Sequence, residues 1–220
     1  MIYLRAGLFA EGSSDYDFLL RLLNRLIESI AAALYPGVCE MADTIGIDAP
    51  PHLQKGKRAD RIAAACVEYE GLFDLLVIHA DGDTDPQAAR RDRIEPGIAA
   101  LRAANREQPI VAVPCIPVRE IEAWMLTDAV VFRERLGSKV ALELPGDPER
   151  ESDPKVTLQQ ILKNGGARRL QGSIYAFFGE RVALKTLRSL PAFRTFEAEL
   201  TAAIREVASS QGHYQGLTKN

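Results

Sequence analysis

The chain has 220 residues, of which 47% are apolar and 26% charged. That suits one generous domain with a buried core, or one domain with a helical extension, and excludes wholesale disorder. The 27 Lys and Arg against 30 Asp and Glu leave a net charge of −3, which excludes a protein that grips nucleic acid by its overall charge.

Three cysteines, Cys39, Cys66 and Cys115, occur without a CxxC pair. Their number and spacing argue against a disulfide scaffold or a zinc knuckle and fit a reducing compartment. Residues 2–10 form an apolar run too short for a signal-peptide core. No apolar run approaches the roughly 20 residues needed to span a bilayer. The expectation is a soluble, cytoplasmic protein without a membrane partner.

The run at 2–10 reads as a first strand that ends at Glu11-Gly12-Ser13-Ser14-Asp15, where Ser14 or Asp15 can cap a helix. From Asp17 to Leu34, Phe18, Leu19, Leu22, Leu23, Leu26, Ile27 and Ile30 recur at helical spacing with one apolar face. Pro36-Gly37 stops that helix. A weak strand is expected within 38–47, a loop from Pro50 to Lys57, and a second helix over 58–70. Leu72–His79 is the clearest strand; its nearly continuous apolar character suits a parallel strand covered on both faces. Pro86 then opens a helix running to about Asn105, and 109–116 forms a further strand. A helix carrying Arg119, Glu120, Glu122 and Trp124 follows.

Alternating strands and helices imply an α/β fold with a mainly parallel four-stranded sheet flanked by helices, and Leu72–His79 central within it. This domain is assigned to 1–136. The acidic stretch 143–153 reads as a loop, and 154–208 is helical in pattern. Residues 137–220 are therefore expected to be a loop and helical extension packed on the sheet domain.

Two acidic clusters lie just past strand ends: Glu11 after the first, and Asp81-Gly82-Asp83-Thr84-Asp85 after Leu72–His79. In an open parallel sheet the ligand crevice lies outside those carboxyl ends. Crowded carboxylates repel unless a cation or a shared proton neutralises them. Hard oxygen donors of this kind suit Mg²⁺ or Mn²⁺ together with a substrate phosphate. The alternative is that the aspartates are turn and cap residues before Pro86.

Glu11-Gly12-Ser13-Ser14-Asp15 on a strand-to-helix turn, with the Asp81-x-Asp83 pair, resembles the Toprim domain of topoisomerases, primases and overcoming-lysogenization-defect nucleases. Pro117 to Leu126, with its Glu122-x-Trp124, and Asp153-Pro154-Lys155 further resemble an uncharacterised stand-alone bacterial Toprim-like family. The resemblance implies a glutamate at position 11 serving acid–base chemistry at a scissile phosphate. Asp81 and Asp83 would hold Mg²⁺ or Mn²⁺, Glu11 itself is a further candidate metal ligand, and Asp85 would stand behind them or hold a second ion.

No topoisomerase tyrosine domain, zinc module or G-x-x-x-x-G-K-[ST] loop is legible in the chain. A stand-alone nuclease acting on nucleic acid, in a setting such as bacterial defence, is the expected function. A separately encoded ATPase is a candidate partner.

Residues two apart on a helix diverge, so one of Glu120 and Glu122 faces the crevice; the Glu122-x-Trp124 resemblance favours Glu122, with a salt-bridge or cap role as its alternative. Arg119 and Arg90 are candidates for contact with a substrate phosphate, or for pairing with nearby acids; Arg91 and Arg93 share that choice. His79 and Trp124 read as buried core residues. The segment 163–194 carries a net charge of +6, and Arg168, Arg169, Lys185 and Arg188 are its candidate nucleic-acid contacts. Removing Glu11 or Asp81 is expected to abolish cleavage while leaving the metal-free protein equally or more stable, through relieved repulsion.

Two other readings remain open. Leu75-to-Thr84 also resembles the nucleophile strand of haloacid-dehalogenase-type phosphatases, which leaves Glu11 without a role. A metal- or partner-binding subunit of a defence or toxin–antitoxin system, without catalysis, is the other.

Overall fold

A computed structural model describes residues 1–104, 109–138, 140–166 and 173–217. Strands β1 (Ile2–Leu4) and β2 (Ala6–Phe9) lead into helix α1 (Ser13–Leu34), then β3 (Cys39–Met41), β4 (Ile45–Ile47) and α2 (Arg58–Glu68). Next come β5 (Leu75–His79), α3 (Pro86–Ala89), a π-helical turn (Arg90–Ile94), α4 (Glu95–Ala103) and β6 (Val111–Cys115). Short α5 (Glu122–Met125), α6 (Ala129–Leu136), α7 (Pro154–Asn164), α8 (Ile174–Arg181), α9 (Leu184–Leu187) and the long α10 (Pro191–Leu217) complete the chain.

The main sheet has the order β4-β2-β5-β6, and every pairing in it is parallel. The α/β class and the central place of the 72–79 strand are as expected. The expected first strand, however, is two strands, and so is the weak second one. The break falls at Arg5, whose guanidinium grips Asp74 through two hydrogen bonds of 2.9 and 2.7 Å, while its carbonyl accepts from Asp74 and Leu75. Before that point β1 pairs with β3 in a separate two-stranded sheet.

Alternation along the strands divides the core in two. Leu8, Leu75, Val77, Val113 and Cys115 face a large cluster formed with α1 and the helices after β6. Phe9, Leu76, Ile78 and Ala80 face a smaller cluster with Ile62, Ala65, Cys66, Ile94, Ile98 and Leu101 from α2 to α4. With one helical layer on each face, the central strand has no polar side to show, which is why its apolar run is continuous. Pro114 lies within β6, and its place on an edge strand is what tolerates the missing N–H.

The helices beyond residue 137 share the larger cluster, to which Leu158, Phe178, Phe193, Phe196 and Leu200 contribute. Trp124, fully buried, meets Phe193 edge-on at 5.1 Å and lies nearly parallel to Phe196 at 6.0 Å. Its role is packing, as expected for a core residue. At the far end, the Gln211 amide bonds both the N–H and the C=O of Tyr3, at 2.9 and 2.7 Å. This covers exposed β1 backbone groups of the kind an unpaired edge offers to another strand. Among the described residues, no helix is long and apolar enough to cross a membrane.

Helix α8 crosses α1 at close range through Gly179, where an added Cβ would lie 2.3 Å from the Phe18 carbonyl oxygen. Arg25 of α1 fastens the same crossing by donating to the Gly179 and Val182 carbonyls at 2.9 and 2.8 Å. Those are orphan acceptors at a helix C-terminus, where a cation is favourable. Gly179→Ala forces two backbones apart and should cost about 1–3 kcal/mol, read as a fall in the denaturant midpoint.

Candidate metal and phosphate site

Because β2, β5 and β6 run parallel, the loops after them emerge at one edge of the sheet. The loop after β5 is zipped to the loop after β6. Gly82 N–H donates to the Pro117 carbonyl at 3.1 Å, and Asp83 N–H to the Arg119 carbonyl at 3.0 Å. A Cβ on Gly82 would stand 2.4 Å from that Pro117 oxygen, so only glycine fits the approach. Asp83 and Arg119 are paired across this bridge, and both adopt left-handed backbone, with φ of 47° and 65°. Two non-glycine residues in that region are a local strain of the kind found at functional sites. The expected helix over Arg119 and Glu120 is therefore displaced: α5 begins at Glu122, because Arg119 is committed to the bridge.

The first turn of α1 is organised by Asp15, whose Oδ2 accepts from the Gly12 N–H at 2.9 Å. Gly12 takes the N-cap position, and the helix begins at Ser13, earlier than Asp17. Glu11 is thereby left projecting at the strand end.

Glu11, Asp81 and Asp83 converge on one guanidinium. Arg93 Nη2 donates to both Glu11 oxygens at 2.9 and 3.0 Å, while Nη1 donates to the Asp81 carbonyl at 2.9 Å and to Asp83 Oδ2 at 3.1 Å. Arg93 lies on the π-helical turn between α3 and α4, a widened turn often found at functional sites. Glu11 Oε1 also accepts from Arg58, which donates in addition to the His79 carbonyl. The Arg58 and Arg61 guanidiniums lie 5.4 and 5.5 Å from the Phe9 ring centroid. Burial lowers the pKa of Arg58 despite Glu11, with Arg93 and Arg61 acting in the same direction as burial. Burial also opposes the charge on Arg93, but Glu11, Asp83 and Asp81 outweigh it and raise the pKa.

His79 ends β5 on the face of Leu75 and Val77 and is 1% exposed. Its Nδ1 lies 3.1 Å from the Cys115 carbonyl, and its Nε2 lies 3.4 Å from Asp81 Oδ1 and 3.9 Å from Asp15 Oδ2. The Asp81 contact is an ion pair without hydrogen-bond alignment, so both Nε2 and Asp81 Oδ1 are buried without a hydrogen-bond partner among the described residues. Burial disfavours the imidazolium, yet Asp81, the Cys115 side chain and Asp15 outweigh it and push the pKa up to about 10. The expected satisfied core histidine is buried, but only one of its two nitrogens is satisfied.

The other candidates divide by position. Asp85 Oδ1 caps α3, accepting from the Gln87 and Ala88 N–H groups at 3.0 Å each. Arg90 is turned to Glu95 at 3.1 Å and Glu199 at 2.7 Å, which ties it to α10. Arg119 and Glu120 line a cleft of about 260 Å³ with Asp83, Thr84, Ser152, Asp153 and Pro154. Glu122, 2% exposed, accepts from the Tyr175 hydroxyl at 2.6 Å and sits 3.6 Å from Lys155 Nζ. Of the two glutamates, Glu120 therefore lines the cleft beside Asp83, while Glu122 anchors α7 and α8 beneath it. Burial and the neighbouring Glu122 raise the Glu120 pKa.

Lys185 is exposed, whereas Arg188 pairs with Glu197 at 2.8 Å. Arg168 and Arg169 lie outside the described residues. Arg58 carried no sequence signal: it is 47 residues from Glu11, and only the packing of α2 on the sheet brings the two together.

Among the described residues, no three His, Cys, Asp or Glu side chains are gathered as a metal site would gather them. Instead, Arg93 stands between the carboxylates. The donors themselves are hard oxygens, and Asp81 keeps one buried oxygen without a hydrogen bond. The set suits a small divalent cation once the guanidinium yields.

Two expectations follow for the metal-free protein. The raised His79 pKa stabilises the fold in full below the unfolded value near 6.5, and the contribution is lost as pH rises toward 10. Unfolding free energy in chelator, measured against pH, should show that decline in the wild type and a flatter profile in His79→Gln. Asp85→Ala should cost about 1 kcal/mol as a lost helix cap, read as a fall in the denaturant midpoint in chelator.

No curated protein matches this chain. No solved structure matches it either. One family model does, DUF4276, a domain of unknown function, over residues 10–201. That span includes Glu11, Asp81, Asp83, Arg58 and Arg93, and the helical extension as far as residue 201. The protein belongs to the DUF4276 family.

Proposed function

We propose that this protein performs Mg²⁺- or Mn²⁺-dependent phosphodiester chemistry on nucleic acid, as a stand-alone nuclease of Toprim-like type. One observation carries the reading: the Glu11 and Asp83 carboxylates and the Asp81 main-chain carbonyl, from the ends of two adjacent central strands, converge on a single cationic group. Converging carboxylates at the carboxyl edge of a parallel sheet are where such a fold places its chemistry.

Asp81 and Asp83 would hold the ion, and Glu11 would share it or take the proton of an attacking water. When bound, the ion would supply positive charge to the phosphate and to the departing oxygen. Arg58 and Arg93 are the guanidiniums nearest these acids and suit the phosphate oxygens by their forked geometry. His79 faces Asp81 from the buried side and orients its carboxylate. The exposed Lys185 on the extension is available to a nucleic-acid backbone, though Arg188 is already balanced by Glu197.

A second reading, a metal- or partner-binding subunit without catalysis, draws on the fact that arginines already balance the acids.

Cleavage of single- and double-stranded DNA and RNA with Mn²⁺ tests the two. Wild-type cleavage that chelator, Asp81→Asn and Glu11→Gln each reduce by at least a hundredfold supports the nuclease. Mn²⁺ binding without cleavage of any substrate supports the binding subunit.

The geometry favours another outcome for metal-free stability than the equal or higher value expected on removing Glu11. Glu11 is the shared partner of two guanidiniums rather than an unrelieved charge. Glu11→Gln should therefore lower unfolding free energy in chelator by about 1 kcal/mol, a partly exposed pair being worth little more.

A further inference from the structure

We propose that Arg93 is the resident counter-cation of the carboxylate site, and that a divalent ion binds by exchange with it. The inference rests on the metal reading above and goes beyond it, because it makes one side chain of this protein a competitor for its own metal. The four hydrogen bonds described for Arg93 end on Glu11 Oε1 and Oε2, the Asp81 carbonyl and Asp83 Oδ2, at 2.9 to 3.1 Å. Three of them are carboxylate oxygens of Glu11 and Asp83, which would receive the ion, and the fourth is the main-chain oxygen of Asp81, whose carboxylate lies beside them. A guanidinium carries five N–H donors and no lone pair to offer a metal, so it cannot join a coordination shell. An ion held at the roughly 2.1 Å typical of Mg²⁺ takes up the lone pairs to which Arg93 donates, and like charges repel at that range. The two occupants exclude each other.

A separate observation points to the same vacancy in the bonding. His79 Nε2, on a residue 1% exposed, is aimed at Asp81 Oδ1, and neither atom has a hydrogen-bond partner among the described residues. Arg93 neutralises the outer side of the site, while this inner oxygen faces the His79 imidazole at 3.4 Å without a hydrogen bond.

Arg58 differs from Arg93 in having an anchor outside Glu11, Asp81 and Asp83. It donates to the His79 carbonyl and its guanidinium lies 5.4 Å from the Phe9 ring centroid. Exchange therefore releases Arg93 while Arg58 stays, and leaves a freed guanidinium beside the ion, where a phosphate oxygen would be met. Arg93 lies on the π-helical turn, where one residue more per turn than an α-helix permits local readjustment without moving α4.

The consequence is an affinity limited by competition. The full-length protein is titrated with Mn²⁺ alone, by calorimetry, as wild type, Arg93→Gln, Arg93→Lys and Asp81→Asn. Melting is recorded for each in chelator and in saturating Mn²⁺. Arg93→Gln should bind Mn²⁺ at least tenfold more tightly than wild type. It should also melt below wild type in chelator and show a larger gain in melting temperature on adding Mn²⁺. Arg93→Lys keeps the charge without the fork that spans Glu11 and Asp83, and should fall between the two; it also serves if the glutamine variant does not fold.

If Asp81→Asn abolishes a Mn²⁺ affinity that wild type and Arg93→Gln share equally, the metal reading stands and the exchange is overturned. If neither wild type nor Arg93→Gln binds Mn²⁺, the metal reading falls and the exchange falls with it.

Discussion

Every residue of the strand Leu75–His79 is removed from water, and it receives hydrogen bonds from a parallel neighbour on each side. Its odd positions need the helical layer of α1 and α10, and its even positions need that of α2 and α4. Neither layer can be lost without exposing half of the strand. The same strand fixes the site, because its register against β2 and β6 decides which loops share the carboxyl edge. His79, two residues before Asp81, is paired with Cys115, and Phe9, two residues before Glu11, is paired with Ile78. The acidic groups are thus neighbours because the apolar positions before them are.

The loops at that edge are held by close backbone approach more than by side chains. Gly82 lies against the Pro117 carbonyl, and Asp83 and Arg119 bridge in left-handed conformations. Backbone in this state resists adjustment, so the acids are presented from a stiff frame while the cations reach them on long side chains. That division suits a site whose charges must be redistributed when a ligand arrives. The helical extension belongs to the same mechanical unit: Tyr175 of α8 and Lys155 of α7 meet the buried Glu122, just beyond the cleft lined by Glu120 and Asp83.

Much of this was legible in the chain before any coordinates. Periodicity marked α1 and the alternating order of strands and helices, since a helix with one wet face and a strand with none leave different hydrophobic spacings. The D-x-D turn and the glutamate after the first strand pointed to one crevice. Arg5 was less legible: a charge inside an apolar run does not announce that it will break a strand in two by gripping Asp74.

By itself, the sequence determined the α/β class, the central place of 72–79, the burial of Trp124 and the positions of Glu11, Asp81 and Asp83 beyond the ends of adjacent strands. These follow from local patterning, in which each residue's fate depends on neighbours a few positions away. Only the tertiary structure decided which cations those acids face. It drew Arg58 from 47 positions away and Arg93 from 82, and it turned Arg90 to Glu199 and Asp85 to the cap of α3. It also placed Glu120 at the cleft and Glu122 beneath it. Charges leave no periodic trace in a chain; their pairing is set by distances in space, which only the packing of α2, α4 and α10 on the sheet defines.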